Sequence, residues 1–160
     1  MFVLTMLLSC AGYAEDTAKP NVVNARQLAE AYLRAEAKGD FRAVRSLLTD
    51  SAYLKYTYEW GHGYEDSVYE FDFSKPSTAE DPFGDDAYAA TMSGYETLAR
   101  ESQIKRVTTK DDGDVEVHVV VTEKYRYEDY TGTAKAKIRI RVRQVRGVAK
   151  IARVMSVTKY

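Results

Sequence analysis

Lys135, Lys137, Arg139, Arg141 and Arg143 alternate without a break with Ala136, Ile138, Ile140 and Val142. A two-residue period sends the two sets to opposite faces of a strand. This segment therefore requires a sheet with one covered apolar face and one cationic face. Its neighbours read the same way. Strands are expected at about 103–110, 114–130, 133–146 and 148–159, with Asp111-Asp112-Gly113-Asp114 as a strong hairpin signal. Tyr130-Thr131-Gly132-Thr133 and Arg146-Gly147 are weaker turn signals.

The cover for that sheet is legible upstream. Val23, Leu28, Ala31, Tyr32 and Ala35 recur at three- and four-residue steps, with Arg26, Glu30, Arg34 and Lys38 on the polar side. Asn24 reads as the N-cap, and Gly39-Asp40 closes this helix and opens a second from Phe41 to Leu48. Leu54, Tyr56, Tyr58 and Trp60 then alternate with Lys55, Thr57 and Glu59 as in a half-buried strand. Gly61-His62-Gly63 reads as the turn that returns the chain along Tyr64 to Phe73. Ser74 to Asp86 holds two of the three prolines and reads as a loop, and a third helix is expected from Ala87 to about Arg100, weakened by Gly94.

These elements make an α+β domain in which N-terminal helices pack on a curved, mostly antiparallel sheet. From Asn21 to Lys159 the layout resembles the cone-shaped nuclear transport factor 2-like superfamily, which includes SnoaL-like cyclases, ketosteroid isomerase, scytalone dehydratase and many binding-only members. The residues that carry the resemblance are Leu28-Ala29-Glu30-Ala31-Tyr32 through Gly39-Asp40-Phe41 to Leu47-Leu48, followed by the long C-terminal strands. The likeness is one of topology, without a catalytic signature. It implies a concave pocket and, as in many relatives, a homodimer through the open sheet face, but no particular chemistry.

The N-terminus reads as an address. Phe2 to Leu8 is an apolar run ending in Leu7-Leu8-Ser9-Cys10, which holds the only cysteine and resembles a bacterial lipobox. Gly12-Tyr13-Ala14 offers a competing small-x-small cleavage site, and no Lys or Arg precedes Lys19. A buried strand or frayed terminus with an incidental cysteine is the third reading. The run is far shorter than the roughly 20 residues of a membrane span. The division that follows is a signal segment at 1–14, a linker at 15–22 and one domain at 23–160. Export places the protein in a bacterial periplasm or, if Cys10 is lipidated, on a membrane.

In catalytic relatives a carboxylate or histidine, often with a tyrosine, works inside the cone. Glu123 is the first candidate, because Val115, Val117, Val119 and Val121 form an apolar phase that Glu123, Tyr125 and Tyr127 continue. A bulge near Thr122, or a solvated strand end, would remove it from the cavity. His62 and His118 are the only histidines; His62 falls in a turn and His118 on the polar phase of its strand. Either would serve as a general base only if it faced the cavity. Tyr56, Tyr58, Trp60, Tyr125 and Tyr127 fall in phases that could line a pocket and hold a ligand.

No cofactor and no metal site are expected. Two histidines without helical spacing do not make a zinc site, and the acidic run Glu80 to Asp86 lacks the ligand alternation of a calcium loop. Nucleotide loops and the Gly-x-Ser-x-Gly elbow are absent. Net charge is −1, but nine acids lie between Glu59 and Asp86 and nine bases between Lys135 and Lys159. The folded protein is a dipole if those blocks separate and self-neutralising if they meet. The cationic strand suits phosphates, but export argues against nucleic acid and for a membrane surface or acidic protein. The leading expectation is a non-catalytic envelope domain that binds a small apolar ligand or a protein partner. An isomerase- or dehydratase-type enzyme, and an immunity-type or assembly factor, are the alternatives.

Overall fold

The computed structural model describes residues 20–61, 63–75 and 95–160. Helix α1 runs Val22–Ala37, and Asn21, not Asn24, caps it: the Asn21 Oδ1 accepts from the Asn24 N–H at 2.7 Å. Ala25, Ala29, Tyr32 and Leu33 are its buried stripe, the small residues letting the helix lie close to the sheet. Gly39 takes φ +65°, and Asp40 caps α2 (Phe41–Leu47) by accepting from the Ala43 N–H at 2.9 Å.

Six strands follow: β1 Leu48–Glu59, β2 Ser67–Asp72, β3 Tyr95–Thr109, β4 Val115–Tyr127, β5 Tyr130–Val145 and β6 Val148–Lys159. Their spatial order is β2-β1-β6-β5-β4-β3, antiparallel throughout except for β1 against β6. The last strand thus returns beside the first. Val115, Val117, Val119 and Val121 of β4 meet Ile138, Ile140 and Val142 of β5 and Ile151 and Val154 of β6 on the inner face, under α1. Fully burying each such side chain contributes roughly 1.5–3 kcal/mol. The outer face carries the cationic row of β5, as the alternation requires.

Two expectations need correction. Tyr95 to Arg100 is the start of β3 and not the end of a helix; the remainder of that expected helix, and the Ser74–Asp86 loop beyond 75, fall outside the described residues. The β4–β5 turn is Glu128-Asp129, with Glu128 at φ +52°, so Gly132 lies within β5 opposite Tyr125. The β5–β6 turn is Arg146-Gly147 as expected, with both residues at positive φ.

Candidate functional site

Among the described residues a polar hollow of about 190 Å³ lies beneath the C-terminal end of α1. Each wall follows from an alternation. Strand β4 gives Val121 and Glu123, β5 gives Ala134, Ala136 and Ile138, β6 gives Ser156 and Thr158, and β1 gives Tyr56 and Tyr58. Helix α1 contributes Glu36, and β3 contributes Thr97 and Arg100. Register shifts in β3 between Thr97 and Ala99 and between Ile104 and Arg106 bend that strand on either side of Arg100.

Arg100 lies between two carboxylates. Its Nη1 donates to Glu123 Oε2 at 3.3 Å, and its Nη2 forms a short ion pair with Glu36 Oε2. The Thr97 hydroxyl donates to Glu123 Oε1 at 3.1 Å, so both oxygens of Glu123 accept a hydrogen bond. The three charged side chains are 22%, 16% and 14% exposed for Arg100, Glu36 and Glu123, low enough for their Coulomb terms to outweigh those of surface pairs. Burial pushes the Glu36 carboxyl above the ordinary glutamate range, against the opposing pull of Arg100, and nearby Glu123 adds to the rise. Behind this group Tyr32 and Tyr56 share a hydroxyl–hydroxyl bond of 2.6 Å that ties α1 to β1.

Glu123 therefore occupies the cavity, because the β4 phase runs unbroken through Thr122; the register shifts fall in β3 instead. His118 does not. It points to the outer face, where its Nε2 lies 2.8 Å from Glu116 Oε1, and Lys110 reaches the same oxygen at 3.0 Å. Burial pushes Glu116 up, but the bonds from Lys110 and His118 outweigh it and hold the carboxyl below its usual range. His62 and Cys10 lie outside the described residues.

Of the five aromatic candidates, Tyr56 and Tyr58 line the cavity. Trp60 stands behind it, stacked on Tyr160 at 4.4 Å with its indole N–H donating to Ser67 Oγ at 3.0 Å. Tyr125 meets Tyr160 edge-on at 5.3 Å, and burial, with Tyr130 beside it, raises its hydroxyl pKa. Tyr127 is carried past the cavity to the end of β4 and is 47% exposed, since β4 outruns the cover of the helix. The sequence reading missed Glu36, Thr97, Arg100 and Tyr160. A signal existed for Glu36, which stands four residues beyond Tyr32 on the edge of the buried stripe.

The outer face carries another hollow of about 500 Å³, lined by Val120, Met155 and Val157 together with Lys55, Lys137 and Arg139. Among the described residues no cluster of three or more His, Cys, Asp or Glu suited to a metal ion occurs. No helix of the described residues is long and apolar enough to cross a membrane.

No protein-family model and no curated protein matches the sequence. Solved structures do match its fold. A ketosteroid isomerase-like protein from Erwinia carotovora atroseptica superposes with a TM-score of 0.57 at 16% identity, covering 86% of this chain and 95% of its own. A nuclear transport factor 2-like protein of unknown function in nutrient uptake from Rhodospirillum rubrum gives 0.53 at 14% identity, covering 82% and 95%. One of unknown function from Shewanella baltica gives 0.53 at 8%, covering 84% and 90%. Identities this low speak to the fold alone, and the chain has the nuclear transport factor 2-like fold.

Proposed function

We propose that the chain is an exported, membrane-tethered binding domain whose cone interior takes a small ligand with an apolar body and one polar end. The observation that supports this is the cavity: Val121, Ala136 and Ile138 line, together with Glu36, Arg100 and Glu123, a space of about 190 Å³. A cavity of about 150 Å³ suffices for a benzene ring, so the ligand is of single-ring size. An open hollow favours a ligand over a purely protein-contact role, for which a filled cone would serve as well.

Binding also fits the use made of Glu123. A general base must offer an oxygen to the substrate proton, and here Thr97 and Arg100 engage both oxygens. One observation favours a catalytic second reading: Glu36, raised by burial, shares the cavity with tyrosine hydroxyls, the pairing used in acid–base isomerisation. That reading expects a turnover lost in Glu36→Gln with binding retained.

Ligand-observed NMR with benzyl alcohol, benzylamine and benzoate tests the cavity. At least one probe should bind, and Ala136→Leu, which fills the hollow, should weaken it about tenfold, or 1.4 kcal/mol. If no probe binds, or the variant binds as the wild type does, the cavity is not a ligand site. The tether has its own test by fractionation in a bacterial host. The wild type should partition with membranes and Cys10→Ser should not; a wild type found soluble in the periplasm would mean cleavage near Gly12-Tyr13-Ala14 instead.

A further inference from the structure

Across the outer face of the sheet the register sets basic residues side by side. Arg106 of β3, His118 of β4 and Arg139 of β5 form one row, and Arg141 of β5 stands opposite Arg153 of β6. Lys135 stands opposite Lys159 in the same way. Like charges directly opposite one another destabilise a sheet, so the fold alone gives no reason for this arrangement. The nearby acids take up only part of it. Glu70 bonds Lys55, Glu59 bonds Lys159, and Glu116 is shared by Lys110 and His118. Lys137 and Arg139, both exposed, meet no carboxylate among the described residues.

Both line the hollow of about 500 Å³, with Lys55, Lys105 and Lys159, and no acid lines it. Arg139 also lines a smaller hollow of about 100 Å³, where it, Arg141 and Arg153 meet the single carboxylate of Glu116. Val120, Met155 and Val157 lie among the charges. Lysine and arginine stems cover such apolar ground while their heads reach outward.

We infer that this face docks on a bilayer bearing anionic lipids, with Lys137 and Arg139 on headgroup phosphates. The surface is distinct from the ligand cavity, which lies on the other side of the sheet, and from any lipid on Cys10. The cationic row from Lys135 to Arg143 is about 27 Å long at the rise of a strand, which suits a plane of many phosphates better than one small anion. Four of the five cations lining the larger hollow are lysines, and no aromatic side chain lines it. Lysine is depleted at protein interfaces, whose anchors are commonly aromatic. A second copy set face to face opposes cation to cation. Each Lys or Arg close to an anionic membrane contributes about fivefold in affinity. Docked this way, the domain turns α1 and its side of the sheet away from the bilayer.

Vesicle co-sedimentation of the full chain carrying Cys10→Ser, so that no anchor contributes, tests the docking. Vesicles of about three parts phosphatidylcholine to one of phosphatidylglycerol should bind at least about tenfold more tightly than phosphatidylcholine alone. The preference should shrink as salt rises from about 0.05 M to about 0.5 M. Lys137→Gln combined with Arg139→Gln should remove about tenfold of it and leave the urea midpoint at or above that of the parent, since like charges are thinned. Either single change serves should the pair fail to fold. Arg26→Gln combined with Arg34→Gln removes as much charge from the exposed side of α1 and should leave the preference intact. Equal binding to the two vesicles, a preference that survives in the β5 variants, or one lost equally in the α1 pair overturns the inference. Binding to poly-glutamate with indifference to phosphatidylglycerol overturns it in favour of an acidic protein. A dimer in analytical ultracentrifugation that the β5 changes dissociate overturns it in favour of a second copy.

Discussion

At position 132 the lack of a side chain is a packing requirement. A Cβ there would lie 2.5 Å from Tyr125 Oη and 2.6 Å from its Cζ, far inside contact distance. Tyr125 cannot yield freely, because it is buried and packs edge-on against Tyr160 at 5.3 Å. Gly132→Ala should therefore cost about 1–3 kcal/mol, the usual penalty of overpacking, read as a lower midpoint in urea. Combined with Tyr125→Ala the penalties should fall short of their sum, since the second change opens the space the first needs; a strictly additive pair would show that the clash is not the cause. From sequence Gly132 reads as a turn residue, because glycine signals a turn and a close approach equally well. Glu123 was legible for the opposite reason: an unbroken two-residue period from Val115 to Tyr125 assigns it a face without knowledge of any partner.

Elements were legible wherever the pattern was local. The helices, the β3–β4 and β5–β6 turns and the long C-terminal strands follow from periodicity and turn chemistry within a few residues. The segment from Tyr95 to Arg100 was not, and with it went Arg100 and half of the cavity's electrostatics. Glu96 and Arg100 have the i, i+4 spacing of a helix pair, yet the backbone pairs with β4 and Glu96 bonds Arg126 across the strands at 3.1 Å. Long-range pairing overrides local preference here, as it commonly does in sheets. The parallel contact of β1 with β6 joins residues about a hundred apart in the chain, beyond the reach of any local pattern. That contact brings Tyr56 and Tyr58 to the same hollow as Ser156 and Thr158.

Over the whole molecule the two charge blocks meet in part. Glu59 of the acidic block pairs with Lys159 of the basic one at 2.6 Å, whereas Glu70 is met at 2.7 Å by Lys55, which belongs to neither block. Arg141 and Arg143 of the basic strand turn to the β3–β4 hairpin, where Asp114 accepts from Arg141 Nε at 2.7 Å and from Arg143 Nη2 at 2.9 Å. Burial of Asp114 raises its carboxyl, but the two arginines outweigh this and hold it below the ordinary aspartate range. A depressed folded value means that the stabilisation is complete above the unfolded value of about 3.9 and is lost as pH falls through the folded one. Glu36 slopes the other way. Its raised value makes the fold less stable as pH climbs from the unfolded value toward the folded one. Asp114→Asn should then lower stability at neutral pH by about 1–3 kcal/mol, the cost of a buried hydrogen-bonded group left short of its charge. Glu36→Gln should flatten the loss on the climb from acid. Urea midpoints measured from about pH 3 to about pH 7 should show the Asp114→Asn deficit shrinking only below the aspartate range. A deficit equal at every pH would mean that Asp114 matters for its shape in the hairpin, and that its charge does not hold Arg141 and Arg143.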